Sequence, residues 1–303
     1  MNESFSALVH RIMEQGNLSQ MQPVVEKELL HYDIIYCLEK KGLLDDLVFQ
    51  GGTSLRLCRG GSRFSEDLDF AGGVDFSADK LKEIKTCIEE YIGKRYGLEV
   101  TVKEPSTLKE LPEYAELRVD KWQVVMVTAP GRKELPKQKI KLEIANVPAH
   151  QPEPVALNIN YEFLPEGYAQ TIVVAESINE VFAYKIISLP ATQNYVRYRD
   201  IWDLVWLTQH NAKFDEDLVR RKIEDYRLDN YQAMLDRVLE RIPSMIGDAA
   251  FKEQMVRFLP TDIVERTLES SKFIQYLEAT LISLFKDVKS TLFEARQEFE
   301  FKM

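Results

Sequence analysis

The chain has 303 residues, 45% hydrophobic and 29% charged, enough for one large domain or two modest ones with cores of their own. A formal charge of −10 excludes a general nucleic-acid coat, whose affinity comes largely from neutralising phosphates, yet it leaves room for selective contact through a local basic patch. No apolar run approaches the ~18 residues that cross a bilayer, and the N-terminal segment lacks the charged-then-apolar design of a signal peptide, so a cytoplasmic protein without a membrane partner is expected. Cys37, Cys58 and Cys87 are odd in number and widely spaced, and the histidines are scattered, which points to neither a disulfide framework nor a zinc site.

Residues 1 to about 48 read as helical. Pro23 suits the first turn of a helix, Val25, Leu29, Tyr32, Ile35 and Leu38 recur at helical spacing, and Gly42 ends it. The expected use is support for the sheet that begins at Leu47.

The stretch Phe49–Phe70, FQGGTSLRLCRGGSRFSEDLDF, carries the chemistry. An apolar strand-like run breaks at Gly51-Gly52, passes a short helical turn, breaks again at Gly60-Gly61 and ends in a second strand. Alternation on that strand turns Ser65, Asp67 and Asp69 one way and Phe64, Glu66, Leu68 and Phe70 the other. Two ionised carboxylates side by side repel each other unless a cation lies between them, and a hard oxygen pair suggests magnesium serving phosphoryl transfer. Gly51 and Gly52, lacking Cβ atoms, let backbone N–H groups and a helix start approach a phosphate. The bland alternative is a solvated Asp-x-Asp turn preceded by a glycine loop.

Gly-Gly, Thr/Ser, Leu, Arg and then Ser-Glu-Asp-Leu-Asp-Phe resembles the signature of the AbiEii/AbiGii toxin family, a branch of the polymerase-β-like nucleotidyltransferases. The resemblance implies a toxin that transfers a nucleotide from an NTP to an acceptor, the 3′ end of tRNA among the candidates, with Mg2+ or Mn2+ as cofactor and a separate antitoxin as partner. Asp67 and Asp69 would hold the metal, and Gly51, Gly52, Thr53 and Ser54 would contact the nucleotide's phosphates.

Further along, Phe76–Arg95 reads as a helix with Ser77 as its N-cap and Gly97 beyond its end. Leu98–Val102, Trp122–Thr128 and Lys139–Ala145 read as strands. On the last, Ile140, Leu142 and Ile144 form one face, and Lys139, Lys141, Glu143 and Ala145 the other. Glu143 is either a third metal carboxylate, as polymerase-β-like enzymes carry on a later strand, or half of a solvated Lys–Glu pair. Arg132, Lys133, Lys137 and Lys139 form a basic loop that either tracks a polyanion or is simply solvated.

From about residue 166 the chain reads as helical, with few strand signals. Ser177 and Glu180 form a capping box opening a helix that Pro190 stops. Ile178, Phe182, Lys185 and Leu189 fall on one stripe, so Lys185 either snorkels to water or meets an anion. The resemblance extends here to a lysine followed by Arg199, Asp200, Asp203 and Leu204, and Lys185 is expected to neutralise phosphate charge. Asp200, Asp203, Leu204 and Leu207 share a helical face, on which one acid, Asp203 ahead of Asp200, is expected to face the active-site cleft while the other caps or pairs with an arginine. A last long helix is expected from Thr261 through Val288, and Arg220, Arg221, Lys222 and Arg227 offer a basic edge for RNA.

The expected architecture is α/β in the α+β sense. A small mixed-sheet nucleotidyltransferase domain with N-terminal helices spans 1–165 and a helical domain spans 166–303. The competing readings are transfer to a small molecule or a protein side chain, and a non-catalytic interaction protein on the same fold.

Overall fold

The computed structural model describes residues 4–15, 18, 20–105, 118–129, 131, 132, 136–192 and 194–294. The chain divides into two compact units, Met1–Glu176 and Ser177–Met303. The first holds, in order, α1 (Phe5–Gln15), α2 (Gln22–Lys40), β1 (Val48–Gln50), α3 (Gly51–Arg59), β2 (Leu68–Ala71), α4 (Ile84–Tyr96), β3 (Glu99–Lys103), β4 (Val119–Val127), β5 (Gln138–Ala145), β6 (Pro152–Ala156), α5 (Glu166–Ala169) and β7 (Ile172–Glu176).

Its sheet runs β3-β4-β5-β2-β1-β7-β6, with β2/β5 and β1/β7 parallel and the other pairs antiparallel. Alternation is strict across the centre. Phe49, Leu68, Phe70, Trp122, Val124, Met126, Ile140, Leu142 and Ile144 are buried on one face, where Phe49 and Phe70 stack with centroids 5.0 Å apart. Asp69, Lys121, Gln123, Lys141 and Glu143 on the other are only half-buried. One face is therefore core, and the other is left half-open.

Several local expectations change. β2 starts at Leu68, so Asp67 precedes the strand and Ser65 is buried. Residues 76–95 split into a 3₁₀ turn, Ala78–Leu81, capped by Ser77, and then α4, which Gly97 closes at φ 68°. β6 carries two prolines and tolerates them because it is an edge strand whose outward groups need no ladder partner. β7 lies beyond residue 166, where helix was expected, and inserts between β1 and β6 with Val173 and Ala175 buried. This strand carries the first unit to Glu176 rather than to residue 165.

The second unit is helical: α6 (Ile178–Ala191), α7 (Tyr198–Gln209), α8 (Glu216–Asp225), α9 (Tyr231–Gly247), α10 (Ala249–Val256), α11 (Thr261–Arg266) and α12 (Ser271–Lys289). Ser177 Oγ accepts from the Glu180 N–H at 3.1 Å and caps α6. The Glu180 side chain instead meets Lys222 at 2.6 Å, with both fully buried. Lys222 is thereby removed from the expected basic edge. Pro190 lies inside α6 rather than ending it. The expected last helix is two helices, because the chain turns after Arg266 and Ser270 caps a new start through the Phe273 N–H. Among the described residues no helix is long and apolar enough to cross a membrane.

Candidate active site

Gly51 opens α3 directly from β1 at φ 78°, in the left-handed region that favours glycine. A Cβ there would stand 2.5 Å from Asp69 Oδ2, and one on Gly52 would stand 2.4 Å from Arg63 Nη2 and 3.0 Å from Ser65 Oγ. Both glycines leave room for the side chains of Asp69, Arg63 and Ser65, which close on the helix start. Gln50, at the N-cap, makes no side-chain cap, which leaves the first-turn N–H groups of a nine-residue helix without that partner. Thr53 spends its hydroxyl on the Asp67 carbonyl, and Ser54 is fully buried. Arg63, buried against this cradle with Nη1 donating to the Phe64 carbonyl at 2.9 Å, was not singled out from the sequence, where it reads as one more loop arginine.

Register brings the acids together. Gln50 pairs with Asp69, Asp69 with Glu143 and Glu143 with Lys121, a polar row across β1, β2, β5 and β4. Asp67 Oδ1 accepts from the Lys141 N–H at 2.9 Å, and Glu143 meets Lys121 at 3.3 Å. Burial raises the Glu143 carboxyl above its ordinary range, Lys121 opposes this, and the negative charge of Asp67 adds to it. Among the described residues no three His, Cys, Asp or Glu side chains already form a metal-binding group. The donor chemistry nonetheless fits a hard divalent cation: three carboxylates on one half-buried face, one of them pushed toward its neutral form chiefly by burial.

Helix α2 fixes the segment that presents Asp67. Lys27 pairs with Glu66 Oε1 at 2.8 Å, and His31 Nε2 lies 3.0 Å from the Glu66 carbonyl. Burial pushes the His31 imidazole down to about 4, so near neutrality it is uncharged and donates from Nε2. Glu28 receives Arg56 at 2.7 and 3.1 Å, Asn160 at 3.0 Å and Tyr161 at 2.7 Å. Burial works against the Glu28 charge, but Arg56 and these donors bring its carboxyl below the usual range. Arg56 in turn donates to the Gly61 carbonyl at 3.0 Å and covers the Phe64 ring. Three polar positions of α2, Lys27, His31 and, through Arg56, Glu28, thus grip the loop between α3 and β2. Periodicity shows only the apolar stripe of this helix, so the sequence alone points to plain support.

In the helical unit Lys185, 3% exposed, ion-pairs with Asp200 Oδ1 and lies 3.1 Å from Asp203 Oδ2. Asp200 also accepts from Ser188 and from Arg197 Nε, each at 2.7 Å. Burial opposes the Asp200 charge, yet Arg197, Lys185 and Ser188 hold its carboxyl well below the carboxylate range. The anion that a buried Lys185 requires is supplied by the chain itself.

No curated protein matches the chain. Among solved structures, it is similar to MenT4, a nucleotidyltransferase toxin from Mycobacterium tuberculosis H37Rv, at 24% identity and TM-score 0.50, over 78% of this chain and 70% of that one. JHP933 from Helicobacter pylori is similar at 18% identity and TM-score 0.49, over 91% and 96%. At 24% identity the likeness to MenT4 concerns the fold. The family model described as nucleotidyl transferase AbiEii toxin, type IV toxin–antitoxin system, matches residues 33–279, which include the glycine cradle, all three acids and the Lys185 cluster. The chain belongs to the AbiEii nucleotidyltransferase toxin family of type IV toxin–antitoxin systems.

Proposed function

We propose that this nucleotidyltransferase moves a nucleotide from an NTP to a hydroxyl of an RNA acceptor, the 3′ end of tRNA, with a divalent cation as cofactor. The observation that carries the reading is the row in which Asp69 and Glu143 stand in register beside Gly51, with Asp67 one step away. In the reaction the acceptor oxygen attacks the α-phosphorus, the bond to the pyrophosphate oxygen breaks, pyrophosphate leaves, and the acceptor proton passes to solvent.

Asp67, Asp69 and Glu143 are the residues that would hold Mg2+ or Mn2+, which neutralises charge on the phosphates when bound. The first-turn N–H groups at Gly51 and Gly52 contact phosphate oxygens, and the α3 dipole favours the negative charge there. Arg63 adds a cation at the same cradle. Lys27 and His31 fix Glu66, which keeps Asp67 aimed across β5. Positioning and electrostatics do the work, with no need for a protein base of raised pKa.

Incubation of the full chain with purified tRNA and each radiolabelled NTP, with and without Mg2+, tests this. Label on tRNA that requires the cation is the expected result. Label on protein or small molecules alone overturns the acceptor, and transfer that survives chelation overturns the metal. An antitoxin partner, which the family description implies, is tested by suppression of toxicity on co-expression.

A further inference from the structure

We infer that the open face of β3, β4 and β5 is the track on which the sugar–phosphate backbone of an RNA acceptor lies, with Lys103, Lys139 and Lys141 as its phosphate contacts; this rests on the nucleotidyl-transfer reading of the adjacent acids. Register sets the pattern. Lys103 on β3 pairs with Gln123 on β4, which pairs with Lys141 on β5, and Thr101, Val125 and Lys139 form the next row. All six side chains share the face of Glu143 and Asp69, because residues directly opposite in a ladder point the same way.

Strand spacing places Lys103 and Lys141 roughly 10 Å apart and Lys139 about 7 Å along β5 from Lys141, a spread that spans successive phosphates. The face is open: Lys103 and Lys139 are exposed, and Gln123, Val125 and Lys141 are half-buried. Past Lys139 the same edge continues into the exposed Lys137 and Arg132, while Lys133 lies outside the described residues. On β5 a lysine, Lys141, is followed two residues later by Glu143, so a polyanion on the lysines delivers its end to the carboxylates.

Glu143 and Glu99 are the acids of β3–β5 on this face, and Lys121 meets the first of them. In a chain of net charge −10 such a one-sided group of lysines beside the acids is a departure that charge complementarity to a phosphate backbone accounts for. Selectivity follows as well, because the acidic remainder repels RNA that does not seat here.

The test compares the parent full chain with Lys103→Gln/Lys139→Gln and with Lys103→Arg/Lys139→Arg, using a fluorescent RNA hairpin that ends in a single-stranded 3′ acceptor. Anisotropy titrations from 50 to 200 mM salt are expected to show the Gln pair binding more weakly, with a log–log salt slope shallower by about 1.4, as two lost contacts on single-stranded RNA predict. The KM for RNA rises, the KM for NTP is unchanged, and the Arg pair restores both slope and KM. Equal affinity and slope in parent and Gln pair would overturn the track even if the parent transfers nucleotide to RNA, leaving the transfer reading intact. A parent that binds no RNA overturns the track outright, and a parent that binds RNA through these lysines but labels none leaves the track standing and sinks the transfer reading.

Discussion

Two groups of charges lie in this chain, and they are built on opposite terms. In the helical unit, Lys185 and Arg197 face Asp200 and Asp203, so the charges of the named residues balance in a buried cluster. In the sheet unit, Asp67, Asp69 and Glu143 share a half-open face, and Lys121 pairs with Glu143. In a closed, balanced cluster the charges satisfy one another, and removing one member leaves a buried charge stranded at a cost in stability. An open cluster with like charges in register holds repulsion that a ligand relieves. Substitutions at the two places should therefore fail in different ways.

The largest expected effect is on transfer. Asp67→Asn or Asp69→Asn should lower nucleotide labelling of the acceptor on the order of 10³-fold, the upper range for losing one electrostatic contact to a reacting centre. Stability should change little, because the amide oxygen of an asparagine at 67 still accepts from the Lys141 N–H and the face is half-open. Labelling assays beside thermal melts check this, and parent-like transfer by both variants would remove the site from this face.

Lys185→Met should do the reverse. Two carboxylates are left with Arg197 and Ser188 in a buried setting, a loss of about 3 kcal/mol by analogy with broken buried pairs. Denaturant unfolding measures it. A variant with parent-like stability and lost transfer would restore the phosphate role that the helix stripe and the family resemblance suggest for this lysine.

A third effect tests the grip of α2 on the Asp67 segment. His31 is buried neutral with its imidazole at about 4, below the ordinary 6.5, so the unfolded chain binds more protons between these values. Its contribution is complete above pH 6.5 and is lost as pH falls toward 4. Asp33 runs the other way: burial, against the pull of Arg95, Tyr168 and Tyr96, raises its carboxyl to about 6, so acidification between 6 and 3.8 favours the fold. The two offset one another in the parent. His31→Gln removes one of them, so the stability of the variant relative to the parent should improve by roughly 2 kcal/mol between pH 7 and pH 5. A pH-independent difference would mean that the histidine is protonated in place.

What could be read from the sequence follows a physical line. Asp67, Asp69, Gly51 and Gly52 were legible because the motif is local and its spacing sets its geometry. Glu143 was legible as a candidate because strand alternation put it on the polar face, though only pairing fixes its register with Asp69. Arg63, Lys27, His31 and the Glu28–Arg56 pair were not legible, since their partners lie far along the chain and a buried polar residue on a helix looks like any other. β6 and β7 were missed for a related reason. Prolines and a short apolar run read as linker until the sheet gives them neighbours.

The smallest expected effect separates the two aspartates of α7. Asp200 accepts from Lys185, Ser188 and Arg197, and its carboxyl is held well below the usual range. Asp203 meets the same lysine at 3.1 Å, one turn further along the helix. An asparagine at 200 keeps one acceptor but loses the charge that Lys185 and Arg197 both need. An asparagine at 203 leaves the Lys185–Asp200 pair standing. Asp200→Asn should therefore lower unfolding free energy by about 1–2 kcal/mol more than Asp203→Asn, the worth of one further charge-assisted contact. The deficit of Asp200→Asn against the parent should narrow below pH 4, where the unfolded parent's ordinary carboxyl takes up a proton that the depressed folded one refuses and an asparagine cannot bind. Urea unfolding at pH 7 and pH 3 on both variants reads the difference, and transfer measured on the same samples completes it. If Asp203→Asn loses transfer while keeping its stability, that carboxylate acts in the reaction, as its place one turn inside the helix leads one to expect. If Asp203→Asn is the less stable of the two, the order of partners around Lys185 is reversed.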